Sequence, residues 1–162
     1  MVAIFHPGAD LNEVRGLIEI IRESGKDHRI SMYMLAEESE KDVDDLLPMV
    51  EACRMLGLAK VAGGNVQLTA AGMQLNMGNF HSRVGRELVR LEPFKSALAI
   101  LSEYDHASTK ALLGMLQDRG IHMGATEREN EDSLRKLLMR WGVRCRVLDY
   151  NHRSDTWKKR RK

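Results

Sequence analysis

The sequence predicts a mostly helical α+β chain in which a run of three helices and a small β-hairpin occurs twice. Three observations carry that expectation. Apolar residues recur at helical spacing over most of the 162 residues. The segment LAKVAGGNVQLT reads as two short strands about a Gly-Gly-Asn turn. A second, looser set of helix signals ends in another alternating stretch beyond Trp141.

The elements follow in order. A first helix opens after Pro7-Gly8 with Asp10 as N-cap, carries Leu11, Val14, Leu17, Ile18 and Ile21 on one side, and ends at Gly25. Ser31 caps a short second helix bearing Met34 and Leu35. The third runs from about Val43 to Met55, with Leu46, Leu47, Val50, Cys53 and Leu56 expected to be buried; Pro48 falls early enough to be tolerated, and Gly57 stops it. The hairpin follows, and Thr69 caps a thin helical stretch over 72–78. A helix over 80–91 has Val84, Leu88 and Leu91 inside, Arg83, Arg86 and Arg90 outside, and is broken by Pro93. The pattern then repeats. Phe94, Leu98, Ile100 and Leu101 mark one helix; Ser108 caps another, with Leu112, Leu113 and Leu116 inside and Gly120 at its end. Thr126 with Glu129 forms a capping box opening a third, whose apolar face is Leu134, Leu137, Leu138 and Trp141, stopped by Gly142. Val143, Cys145 and Val147 then alternate with Arg144, Arg146 and Leu148 as a strand, with a turn near 151–155 and Trp157 on the return. Three helices and a hairpin are the order of a winged helix. The expected division is a winged-helix module over 1–79, a connecting helix over 80–93, a second winged-helix-like module over 94–157 and a basic tail over 158–162.

Composition narrows the function. Hydrophobic residues make up 43% and charged residues 30% of the chain, enough for a core beneath a soluble surface. No run approaches the roughly 18 apolar residues that span a bilayer, and MVAIFHPGAD lacks the layout of a signal peptide. The expectation is a cytoplasmic protein. Cys53 and Cys145 read as buried structural thiols. Charge is unevenly placed: residues 1–93 hold 10 Lys/Arg against 14 Asp/Glu, and residues 94–162 hold 15 against 9. The third helix, which in a winged helix usually meets DNA, is acidic. Asp42, Asp44, Asp45 and Glu51 face only Arg54, and a phosphate-rich duplex is repelled by such a surface.

The segments FHPGADLNEVRGLIEII and DVDDLLPMVEACRMLGLAKVAGGNVQLTAAG resemble the AAA-associated C-terminal domain, found behind the ATP-binding cassette of nitrate/sulfonate/taurine-type importers. Gly57, Gly64, Leu68, Thr69 and Gly72 match that family's Gly-rich, Leu-Thr-containing run. The resemblance implies an accessory to a transport ATPase, without catalysis of its own. No G-x-x-x-x-G-K-[ST] loop occurs in the chain, so nucleotide phosphates are not held in that way.

Catalytic signals are thin. Asp44 and Asp45 diverge by about 100° on a helix, and Glu37, Glu38 and Glu40 read as a solvated acidic run. No His among His6, His28, His81, His106, His122 and His152 lies at i, i+4 from another His or Cys. No enzyme activity, cofactor or metal is expected. The candidate partner-binding residues are Asp42, Asp44, Asp45 and Glu51. The candidate phosphate or anion contacts are Arg144, Arg146, Arg153, Lys158, Lys159, Arg160, Arg161 and Lys162. The expected function is a non-catalytic accessory or regulatory docking module of an importer-type ATPase. Its partner would be the ATPase subunit or a second copy, with weak nucleic-acid contact through the tail. A winged-helix transcriptional regulator is the alternative.

Overall fold

The computed structural model describes the whole chain except residues 1–3, 7, 25, 26, 77, 124, 125 and 162, and the side chains of 127 and 128. Two compact units emerge, one of Gly8–Asn79 and one of Met1–Pro7 with Phe80–Lys162. The fold is α+β, with two small three-stranded antiparallel sheets among predominantly helical elements.

In the Gly8–Asn79 unit, α1 (Leu11–Arg22) is capped by Asp10, whose carboxylate accepts from Asn12 N–H and Glu13 N–H. Strand β1 (Arg29–Ser31) leads into α2 (Met32–Glu38), capped by the Ser31 hydroxyl. Helix α3 (Val43–Met55) ends in a Schellman motif. Gly57 takes φ +72°, its N–H reaches Arg54 O at 3.0 Å, and Leu58 N–H reaches Cys53 O at 2.9 Å. Strands β2 (Ala59–Ala62) and β3 (Asn65–Leu68) pair so that Ala62 faces Asn65. The loop is therefore Gly63-Gly64 alone, and both glycines have positive φ, as a type I′ turn requires. A short α4 (Ala70–Met73) follows, capped by Thr69.

The other unit begins with α5 (Phe80–Leu88) and α6 (Phe94–Tyr104). Then come β4 (Ala107–Ser108), α7 (Thr109–Asp118), α8 (Glu127–Leu137), a π-helical continuation over Leu138–Val143, β5 (Leu148–Asn151) and β6 (Thr156–Lys159). The N-terminal segment belongs here. Phe5 N–H donates to Glu92 O at 2.8 Å, and the buried Phe5 ring stands edge-on to Trp141 at 4.6 Å and Phe94 at 6.1 Å between centroids.

The two sheets repeat in register as well as order. Each places its last strand in the middle, β1-β3-β2 and β4-β6-β5. Ser31 pairs with Asn65 and caps α2; Ser108 pairs with Thr156 and caps α7. Val66 and Trp157 are the buried central residues, facing Ile30 and Ala107 on one side and Val61 and Tyr150 on the other. Arg146, at φ +60°, stands where Gly57 stands. Its N–H reaches Val143 O, and Val147 N–H reaches Gly142 O at 2.8 Å, closing a second Schellman-type stop.

Several sequence expectations change. Gly142 does not end the last helix, and residues 143–147 are not a strand. Gly142 is buried against Leu148, whose Cδ1 would lie 2.7 Å from a Cβ there, so the glycine serves close packing and the helix runs on. Arg144 and Arg146 consequently sit in a turn before the hairpin. Leu47 is exposed and Met49 takes its place inside, because adjacent Leu46 and Leu47 point about 100° apart. Met34 is exposed too. Pro48 lies in the second turn of α3, where it removes one ladder bond without ending the helix. The helix after Thr69 stops at Met73, and that from Phe80 stops at Leu88. Helix α1 closes at Arg22 with Glu23 as C-cap; Gly25, its expected stop, lies outside the described residues, as does Pro7.

Gly72 and Gly16 offer opposite tests of this packing. A Cβ at Gly72 would come within 2.2 Å of Leu58 O, a backbone atom, whereas one at exposed Gly16 of α1 meets nothing within 4 Å. Gly72→Ala is expected to lose about 2 kcal/mol or more of unfolding free energy in urea titration. Gly16→Ala is expected to gain about 0.5–1 kcal/mol, through helix propensity alone.

Candidate functional site

The outward face of α3 follows from its inward one. Burial of Leu46, Met49, Val50, Ala52 and Cys53 leaves Asp44, Leu47, Glu51 and Arg54 outside at i, i+3, i+7 and i+10, with Val43 beside Leu47. Val43 and Leu47 are 41% and 48% exposed, too much for core residues. On α2, which packs against α3, Tyr33 at 67% and Met34 at 44% share the outer side with Glu37 and Glu38.

Acid surrounds these apolar groups. Between residues 37 and 45, Glu37, Glu38, Glu40, Asp42, Asp44 and Asp45 face one base, Lys41, and Lys41 is held by Glu13 at 3.0 Å. Asp44 and Asp45 suit the first turn of α3, where the helix dipole favours negative charge. Glu37 and Glu38 do not suit their place, since the last turn of α2 has acids and no base. Glu40 adds a non-glycine residue at φ +56°. Asp42 is the N-cap of α3 by backbone geometry but makes no side-chain cap bond, and among the described residues the Asp42, Asp44 and Asp45 carboxylates enter no ion pair or hydrogen bond. Glu51 differs: Arg54 donates to it through Nε at 2.9 Å and through Nη2, and this bond holds the Glu51 carboxyl below its usual range. Of the four expected partner-binding acids, three carry unneutralised charge. Glu37, Glu38 and Glu40 continue the patch around the α2–α3 bend, and Tyr33, Met34 and Leu47 supply its apolar part. The sequence signal for those acids is their nearness to Asp42.

The other unit holds a half-buried polar network on its hairpin. Thr109, fully buried at the start of α7, donates its hydroxyl to Asp155 Oδ1 at 2.6 Å and accepts from Trp157 Nε1 at 2.8 Å. Asp155 also accepts from Tyr150 OH at 2.6 Å and Thr109 N–H at 3.3 Å, with Arg135 Nε at 3.7 Å. Burial pushes the Asp155 carboxyl up, but the Thr109 and Tyr150 hydrogen bonds and the Arg135 charge outweigh it, and the net shift is downward. Burial, and then the bond to Asp155, push the Tyr150 phenol up. Every member has a partner, so the network fixes the hairpin on α7 and α8 and leaves no free base or nucleophile. Arg135 is further engaged by Glu131 at 2.9 Å and Asp132 at 3.2 Å.

The cysteines offer no nucleophile either: burial pushes both Cys53 and Cys145 up to about 12. Among the described residues no three His, Cys, Asp or Glu converge as a metal site, and no helix is long and apolar enough to cross a membrane. The expected anion contacts divide by place. Arg144 and Arg146 lie before the hairpin, Arg153 at its turn, Lys158 and Lys159 on β6, and Arg160 and Arg161 beyond it, while Lys162 is outside the described residues.

The chain thus holds two units of helices with a small three-stranded antiparallel sheet, one of them with an exposed acidic and apolar helix face. The chain belongs to the C-terminal AAA-associated domain family, whose profile matches residues 33–151, from α2 to the end of β5. It is thus an accessory domain of the kind associated with ATPases. Among curated proteins and solved structures none matches the chain.

Replacing Thr109 by Val leaves the buried Trp157 Nε1 without an acceptor, and should cost about 1–3 kcal/mol of stability by urea unfolding. Asp155 stabilises the fold above its ordinary value of 3.8 and ceases to do so as pH falls through its lower folded value. The Tm gap between the wild type and Asp155→Asn should therefore hold from about pH 8 to about pH 5 and close below about pH 4.

Proposed function

We propose that this chain is a non-catalytic docking module for the ATPase subunit of an importer-type ATP-binding cassette system, and that it docks through the outer face of α2 and α3. The observation that carries this reading is the combination on one helix of exposed Val43 and Leu47 with the unneutralised Asp42, Asp44 and Asp45. An apolar centre with a charged rim is how protein interfaces are built. Membership of an ATPase-associated family supports the class of partner. The partner surface it fits is apolar and basic.

The alternative, a DNA-binding regulator, rests on the basic balance of Phe80–Lys162, where 18 Lys/Arg stand against 11 Asp/Glu. Against it, Arg135 of the helix that would face DNA is engaged by Glu131, Asp132 and Asp155. The corresponding helix of the Gly8–Asn79 unit repels phosphate.

Affinity for the ATPase subunit, read by calorimetry, should fall at least tenfold in Asp42→Asn/Asp44→Asn/Asp45→Asn. Wild-type affinity should weaken between about 50 and about 300 mM salt, and the triple variant should lose most of that dependence. A triple variant that binds like the wild type would sink the assignment.

A further inference from the structure

The two sheets have the same pairing scheme but differ in what they show to solvent. In the Gly8–Asn79 unit the outer row across the strands is Arg29, Gln67 and Lys60, and the wing is closed by Gly63-Gly64, which carries no side chain. In the second unit Lys158 faces Asp149 across β5–β6, and His106 precedes the Ala107↔Trp157 pair and so falls in the same row. Its turn is four residues long, His152 to Asp155. Together these form a concavity of about 820 Å³ on the hairpin, lined by His106, Asp149, His152, Arg153, Thr156 and Lys158 among others.

The geometry points to a binding site in this concavity for a small anion carrying two or more phosphate groups. Four observations support it. Arg153 and Lys158 are exposed and, among the described residues, enter no ion pair, so their charge is available. Two imidazoles and the hydroxyl of Ser154 line the same space, giving the mixture of cations and neutral donors that phosphate oxygens accept from. The second carboxylate of the turn, Asp155, is turned to Thr109, Tyr150 and Arg135, so Asp149 is the one acid on the lining. The turn is also built in advance. Asn151 Oδ1 accepts from Arg153 N–H at 3.0 Å and Ser154 N–H at 3.3 Å, and His152 stands edge-on to Tyr150 at 4.8 Å, itself packed on buried Trp157. Such order lowers the entropy lost on binding. The volume falls in the range of small-ligand sites.

The test uses the full chain and inorganic tripolyphosphate as probe, with titration calorimetry at about 0.15 M salt, where long-range attraction is screened. The cavity variant is Arg153→Gln/Lys158→Gln, and Arg160→Gln/Arg161→Gln removes the same charge outside the cavity. All four side chains are exposed, and unchanged Tm confirms folding. One saturable site is expected, weakened at least tenfold in the cavity variant and less than threefold in the tail variant. Orthophosphate should bind more weakly than tripolyphosphate. No saturable binding, or equal loss in both variants, would overturn the site. So would a random duplex that binds through Arg153 and Lys158 while tripolyphosphate does not, since the site would then belong to a nucleic-acid backbone. The ATPase partner and the α3 acids take no part in these measurements, so failure here leaves the docking reading untouched.

Discussion

The orientation of α3 about its own axis governs what the Gly8–Asn79 unit can do. Leu46, Met49, Val50 and Cys53 are drawn inward by the core, and a step of about 100° per residue then leaves no choice for Asp44, Leu47 and Glu51. The Schellman stop at Gly57 holds that orientation by launching Leu58 and Ala59 into the buried start of β2. Rotating the helix to hide Leu47 would carry a buried neighbour into water and bring an unpaired carboxylate toward the core, and both are costly. The exposed apolar residues are thus a consequence of a well-packed core and not of poor packing.

The same scaffold is finished differently in its two occurrences. One closes its hairpin with a two-residue turn and puts its acids around α2 and α3; the other closes it with a longer polar turn tied down by Thr109, Tyr150 and Asp155. The division of charge follows the units more sharply than it follows the midpoint of the sequence. Gly8–Asn79 has 7 Lys/Arg and 12 Asp/Glu, and Phe80–Lys162 has 18 and 11. Fold repetition with opposite charge permits two unrelated surfaces on one chain.

Caps and stops were the most legible part of the sequence. Asp10, Ser31, Thr69, Ser108 and Thr126 cap as their positions suggested, and Gly57 and Gly120 stop helices in left-handed geometry. These are local signals, decided within a few residues. Strands β1 and β4 were not legible, because three and two residues carry no periodicity and exist only by pairing with β3 and β6. Gly142 misled for a related reason: its role is contact with Leu148, and sequence spacing does not register such an approach. Arg146 carries the left-handed stop in place of a glycine, which hid the end of the helix and gave 143–147 the look of a strand. At the candidate site the acids were visible from composition, whereas the exposure of Leu47, Met34 and Tyr33 had to come from packing.

Whether α2 and α3 form the docking face is read by hydrogen–deuterium exchange on the full chain with and without the ATPase subunit. Protection on complex formation should be greatest in peptides covering 33–55 and small over 127–159. Protection confined to the α8 and hairpin peptides, with 33–55 exchanging as in the free chain, would rule out docking through α2 and α3 and move the interface to the basic unit.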